Sequence, residues 1–279
     1  MRAHVAGAPL KDRFVSGFAY SDCWVDDARL VVLNARDAAD RGADIRTRCR
    51  VTGFARTGDH WTLDTPEGRF HARAIVNAAG PWVARLFADA LEETSPQNVR
   101  LVKGSHIVVP RLHTQPHAYM LQNQDQRIIF VIPFEDNFTL IGTTDVEYQG
   151  DPAKVKISEE ETNYLLKVVN DHFKQQLSRD DVLHSFAGVR PLCDDESDEP
   201  SAITRDYTLS LSGAPGEAPL LSVFGGKLTT YRKLAESAMQ ELAAHFTNLG
   251  PSWTATAPLP GGEDLQGQSA LVEALCERY

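Results

Sequence analysis

Ser222-Val223-Phe224-Gly225-Gly226-Lys227-Leu228-Thr229-Thr230-Tyr231-Arg232 joins three kinds of backbone within one short segment. The apolar run 220–224 predicts a strand, the two glycines a tight turn, and Leu234, Ala235, Ala238, Met239 and Leu242 recur at helical spacing beyond it. Glycine lets a ligand come close to the backbone. The first turn of a helix adds unpaired N–H donors and a partial positive charge, so a strand, Gly turn and helix start together suit an anion or an electron-rich carbonyl. Lys227 and two threonine hydroxyls flank that opening. An ordinary Gly-Gly turn beside a solvated lysine has the same pattern, so the rest of the chain has to decide between them.

The chain has 279 residues, 42% hydrophobic and 24% charged, enough for one large or two modest soluble domains with a sizeable core. A net charge of −10 argues against a general nucleic-acid binder and leaves room for a local basic pocket. No run approaches the roughly 20 apolar residues of a spanning helix, and residues 1–10 lack a signal-peptide core, which predicts a cytoplasmic protein or one held to a membrane face. Cys23, Cys49, Cys193 and Cys276 are far apart and form no zinc or CxxC pattern, so they read as reduced thiols and no metal is expected.

Read in order, residues 1–17 look irregular. A helix is predicted over 26–41, with acidic residues in its first turn and Gly42 as its stop. Strands are predicted over 44–56, centred on Val51, then 61–65 and 69–79, with Pro66-Glu67-Gly68 as a turn. The last of these ends in small residues before Pro81, the pattern of a strand end that faces a ligand. Short strands over 104–110, 118–121, 128–133 and 138–142 predict an antiparallel module. Ser158 and Glu161 form a capping box for a helix reaching about residue 176, and 182–189 is a further strand running into Arg190-Pro191-Leu192. The acidic run 194–199 matches no calcium loop and reads as solvated, while the tail after Gly250 reads as a linker.

Cationic and imidazole side chains stand beside strand ends or glycine turns at Lys103, His106, Arg127, Arg190, Arg205 and Lys227. If several converge, they form a pocket for a small phosphate or carboxylate, with arginine giving bidentate contacts. No GxSxG or P-loop is present. From the residues alone the chain is an α+β protein with an anion pocket and room for a dinucleotide.

Seven segments then carry a resemblance: 18–30 (FAYSDCWVDDARL), 77–82 (NAAGPW), 103–110 (KGSHIVVP), 141–145 (IGTTD), 188–195 (GVRPLCDD), 203–207 (ITRDY) and 224–232 (FGGKLTTYR). In this order they closely resemble the aerobic FAD-dependent glycerol-3-phosphate dehydrogenases, members of the D-amino-acid-oxidase-like flavoproteins, over about residues 14–262. The resemblance implies a mixed α+β and α/β fold. Residues 18–98 and 182–248 would form a partial FAD-binding, glutathione-reductase-like domain. Residues 99–181 would form an antiparallel substrate domain, with strands also from 182–212, and 249–279 a tail. The implied reaction oxidises sn-glycerol 3-phosphate to dihydroxyacetone phosphate, hydride passing to flavin and electrons to membrane quinone. Implied site residues are His106 and Arg190 as catalytic groups, with His106 the base. Arg127, Arg190, Arg205 and Lys227 would be substrate ligands, and Val51, Ala79, Gly80, Trp82, Gly225, Gly226, Lys227, Leu228 and Thr229 would lie against FAD.

The resemblance further implies a homodimer that sits peripherally on the inner membrane face and has no nucleic-acid partner. The family's opening GxGxxG unit and its helical C-terminal domain have no counterpart in this sequence, so the reading is of an internal piece of such an enzyme. Two other readings stand beside it: another oxidoreductase of the same superfamily, acting on amines or 2-hydroxy acids, and an inactive piece that folds only with a partner chain.

Overall fold

The computed structural model describes residues 4–91, 94–193, 206–247, 249–263 and 267–278. In chain order these form helix α1 (Asp27–Asp40), a sheet of β1 (Gly53–Thr57), β2 (His60–Thr65) and β3 (Gly68–Ala72), and strand β4 (Ile75–Asn77). A short helix α2 (Val83–Leu86) follows, then β5 (Val99–Pro110), β6 (Tyr119–Gln122), β7 (Ile128–Phe134), β8 (Phe138–Gly142) and β9 (Val146–Glu147). Helix α3 (Glu159–His172), β10 (His184–Cys193), β11 (Tyr207–Ser212), β12 (Leu220–Gly225), α4 (Tyr231–Leu242) and α5 (Gln268–Arg278) complete the chain.

These elements fall into two compact units. The first comprises Met1–Tyr20, Val76–Ser212 and Leu220–Lys227. Its main sheet has the order β10-β5-β8-β7-β6, antiparallel throughout, with β9 beside β5. Ile107, Val109, Ile129, Val131 and Ile141, all fully buried, line one face of that sheet and meet Leu165, Leu166, Val168, Val169 and Phe173 from the α3 region. Ser158 caps α3 and the Glu161 carboxylate returns to the Ser158 N–H, as the capping-box spacing predicts. The helix ends at His172, short of residue 176, because Phe173 adopts an extended conformation and turns its ring into the core. The leader is less irregular than its composition predicts: Leu10 is buried in this core, bridges Phe173, and the Lys11 N–H donates to the His172 carbonyl at 2.9 Å. A second sheet in this unit, β11-β12-β4, is centred on the buried run Leu220 to Phe224.

The second unit comprises Ser21–Ile75, Gly213–Pro219 and Leu228–Tyr279. Asp26 caps α1 through the Arg29 N–H, and Gly42 follows the helix at φ +95°, as expected. In the β1-β2-β3 meander Trp61 is fully buried and its Nε1–H donates to the Pro219 carbonyl at 3.0 Å. The strand expected over 44–56 is confined to its last residues. Arg48 has φ +59°, Arg46 is tied to Asp44 and Glu67, and Val51 is 42% exposed outside any strand. That polar run has no alternation to bury, so nothing holds it flat. The strand expected over 69–79 is interrupted between β3 and β4. The tail is more than a linker: Ser252 Oγ and Thr254 Oγ1 donate to Glu236 of α4 at 2.7 and 2.6 Å, and α5 follows. Those two bonds and one from Lys233 hold the Glu236 carboxyl down to about 2.

Among the described residues no helix is long and apolar enough to cross a membrane, and no cluster of three or more His, Cys, Asp or Glu forms a metal site.

Candidate active site

The site is built on the face of the six-stranded sheet opposite α3. Side chains alternate across a strand, so in β5 Lys103, Ser105, Ile107 and Val109 face α3, while Gly104, His106 and Val108 face the other way. The strand register then extends His106 into a row across the whole sheet. Met120 pairs with Phe130, Phe130 with Gly142, Gly142 with His106, and His106 with Phe186. Paired residues project to one side of the sheet, and Phe130 and Phe186, 40% and 45% exposed, leave this row open. The imidazole of His106 stacks on Phe186, with centroids 5.1 Å apart and planes 10° apart. On its other side it lies over Gly142, where a Cβ would stand 2.1 Å from the imidazole Cδ2.

Arg190 sits beside it on the same face, two rungs along β10, and rests on a second glycine. A Cβ on Gly104 would stand 2.4 Å from Nη2 of Arg190. The guanidinium is fixed by the loop after β8. Nη1 donates to Asp145, and Nη2 to Thr143 Oγ1 at 3.0 Å and to the Thr144 carbonyl at 3.3 Å. Burial, and after it the charge of Arg190, push the His106 imidazole below its ordinary value. The ring is therefore neutral near pH 7, with a lone pair able to take a proton, beside a fixed cation.

Lys103, three residues before His106, falls on the other face by the same alternation. Its Nζ pairs with Glu161 at 2.7 Å beneath the sheet and donates to the Lys156 carbonyl at 3.3 Å. Arg127 also belongs to the α3 side. It is paired with Asp125 at 2.8 Å and lies over the Tyr164 ring, 4.1 Å from its centroid, so the structure does not bring it into the His106 row.

The other expected site residues in this unit gather at the end of β10. Gly225 and Gly226 both have positive φ, +73° and +97°, as the turn requires. A Cβ on Gly225 would lie 2.6 Å from the Asp206 carbonyl and 3.1 Å from Cys193 Sγ. Close backbone packing alone therefore demands glycine there. It also seats the turn against Cys193, three residues past Arg190 on β10. Lys227 follows directly. At the end of β4 the buried Asn77 acts as a staple: its Nδ2 donates to the Val83 carbonyl at 3.0 Å, and its Oδ1 accepts from the Ala79 N–H at 3.4 Å. This fixes the turn Ala79-Gly80-Pro81-Trp82. Gly80 has φ +55°, and a Cβ there would meet nothing within 4 Å, so the conformation and not crowding selects glycine. Leu228, Thr229 and Val51 belong to the second unit, where all three are exposed. Arg205 and the acidic run 194–199 lie outside the described residues.

Sequence reasoning missed Gly104, Gly142, Phe130 and Phe186 as members of the site. The two glycines stood in the segments 103–110 and 141–145, and only the register shows that they lie under Arg190 and His106.

A neutral imidazole and a fixed guanidinium share an open antiparallel face, with Gly-rich strand ends in the same unit, and the family comparison supplies the class: an FAD-dependent oxidoreductase. Residues 2–232 match the model of the DAO family, FAD dependent oxidoreductase, and the chain belongs to that family. It is an enzyme by family, and the family's cofactor is FAD. More particularly, it is 65% identical over 98% of its length to glycerol-3-phosphate dehydrogenase of Pseudomonas aeruginosa and 57% identical to aerobic glycerol-3-phosphate dehydrogenase of Escherichia coli. It is 52% identical over 92% of its length to D-erythritol 1-phosphate dehydrogenase of Brucella abortus. The chain spans 54%, 56% and 52% of these relatives. Among solved structures it resembles glycerol-3-phosphate dehydrogenase of Bacillus halodurans complexed with FAD, with a TM-score of 0.74 at 30% identity over 91% of this chain and 49% of that one.

Proposed function

We propose that this chain carries the substrate-oxidising face of an FAD-dependent dehydrogenase that converts sn-glycerol 3-phosphate to dihydroxyacetone phosphate. The observation that carries the reading is the adjacent pair on the open sheet face, His106 over Gly142 and Arg190 over Gly104. Oxidation of a secondary alcohol needs a base for the hydroxyl proton, and a neutral imidazole held in an apolar stack suits that role. A phosphate ester needs a fixed cation, which Arg190 offers, with Lys227 and Arg205 assigned to the same anion. The residues suit FAD: flat apolar side chains at Phe130 and Phe186 border the reacting groups, and Gly80 leaves open the space a side chain would fill. Ala79, Gly80, Trp82, Gly225, Gly226 and Lys227 would hold the cofactor. Bound FAD supplies the hydride acceptor, and the electrons pass on to a membrane quinone.

Arg127 is assigned a role in holding the substrate-domain loop through Asp125, beside the proposed site rather than in it. A homodimer on the inner face of the cell membrane completes the reading, with no nucleic-acid partner.

The test is the visible spectrum of the purified protein followed by anaerobic addition of glycerol 3-phosphate. Bleaching of bound flavin is the expected result; flavin that stays oxidised overturns the substrate assignment, and a colourless protein the cofactor assignment. Replacing Arg190 by Ala should raise the apparent KM on the order of a hundredfold. The likeness to an enzyme named for D-erythritol 1-phosphate favours a second reading, a longer phosphorylated polyol. A kcat/KM ratio between the two substrates that favours the four-carbon one would establish it.

A further inference from the structure

Below the sheet face that carries Arg190 lies a buried polar network with no role in the chemistry above. Glu161 is 5% exposed. Its Oε2 accepts from the Ser158 N–H at 2.8 Å and pairs with Lys103 Nζ at 2.7 Å. Its Oε1 points the other way and accepts from Thr144 Oγ1 at 2.7 Å and Ser105 Oγ at 2.9 Å. A capping box uses only one oxygen; the second is spent on the loop after β8. Thr144 Oγ1 also accepts the Ser105 N–H at 3.0 Å, so this one hydroxyl is bolted to both α3 and β5. The same residue's carbonyl, the neighbouring Thr143 hydroxyl and the Asp145 carboxylate hold Arg190.

We propose that Glu161 is a positioning residue for the substrate's phosphate group, acting through Thr144 on the loop that fixes Arg190. The inference rests on the reading of Arg190 as a phosphate ligand. Lys103 neutralises the carboxylate from within the sheet, so the network adds rigidity to the loop without setting a net negative charge under the anion site. Burial pushes the Glu161 carboxyl up, but the bonds from Lys103, the Ser158 N–H, Thr144 and Ser105 outweigh it, leaving the group ionised and able to accept all of them at neutral pH. A guanidinium bound on one side to a loop anchored in this way is pre-organised to receive a tetrahedral anion on the other, and an imprecise loop would weaken binding before it slowed chemistry.

The experiment compares Thr144→Val, which keeps shape and loses the hydroxyl, with Thr144→Ser, which keeps it, in the FAD-loaded protein. Thr144→Val should raise the KM for glycerol 3-phosphate about tenfold while kcat stays within about twofold. Calorimetry with inorganic phosphate should show the same weakening, and Thr144→Ser should restore both. A lower melting temperature with unchanged KM and phosphate affinity overturns the proposal, since a merely structural network would give that result. If Thr144→Val does not fold, Ser105→Ala removes the other hydroxyl from the same carboxylate oxygen. A KM rise of about threefold is then expected, and none overturns the proposal. Arg190→Lys run in parallel separates the two failures. If it leaves KM and phosphate affinity unchanged, the functional reading falls and this inference with it; if it raises KM and weakens phosphate binding and the Thr144 variant does not, only this inference falls.

Discussion

The two faces of the six-stranded sheet are made from alternate residues of the same strands, yet their chemistry is opposite. The face under α3 is a dry core of Ile107, Val109, Ile129, Val131 and Ile141, closed at one end by the satisfied cluster of Lys103, Ser105, Thr144 and Glu161. The other face carries half-exposed aromatic rings, glycines, an imidazole and a guanidinium. A period of two thus divides one strand into a half that holds the fold and a half that stays open. It also explains why Lys103 and His106, close in sequence and both polar, have unrelated surroundings.

The contrast breaks most visibly on the core side. Ile129→Ala should cost about 3 kcal/mol of stability, seen as a lower urea midpoint, while kcat and KM of the folded fraction stay as they were. A change in KM with unchanged stability would mean that the core face reaches into the site. On the open side Gly142→Ala should do the reverse. Its methyl would stand 2.1 Å from the His106 ring and must displace it, so flavin reduction by glycerol 3-phosphate should slow about a hundredfold in stopped flow. Loss of global stability without a rate effect would remove His106 from the site. The smallest effect sharpens the electrostatics. The pH profile of flavin reduction should rise as His106 loses its proton, with a midpoint below the ordinary histidine value, because burial and then Arg190 lower it. In Arg190→Ala the midpoint should move upward. The same depression makes the folded state disfavour protonated His106, so its contribution to stability is complete above the unfolded-state pKa and is lost as pH falls below it.

Much of this was legible in advance. The helix 26–41 with its aspartate cap, the capping box at Ser158 and the four antiparallel strands after residue 99 all followed from local signals, and each lies within a few residues of its predicted place. The failures have identifiable causes. The strand expected over 44–56 forms only from Gly53, because the charged run before it has no alternation and so no face to bury. The leader looks irregular and the tail looks like a linker because their order depends on distant partners: Leu10 on Phe173, and Thr254 on Glu236. Charge points Lys103 toward the anion pocket, and the resemblance adds Arg127 to it. Their actual partners, Glu161 and Asp125, lie on the helix side of the sheet.

By itself the sequence determined the kind of molecule: an α+β chain whose ordered motifs resemble FAD-dependent glycerol-3-phosphate dehydrogenases, a resemblance that nominates His106, Arg190 and the Gly225-Gly226 turn as chemical residues. The motifs themselves are local facts, carried by residue type and order along the chain. Only the tertiary structure decided which side chains share a face, because register joins residues far apart in sequence. It laid Gly142 beneath His106, Gly104 beneath Arg190, and Glu161 behind the loop that holds Arg190. Side-chain period belongs to a single strand, whereas adjacency across a sheet is set by the hydrogen-bonded pairing of strands that the linear sequence does not encode one residue at a time.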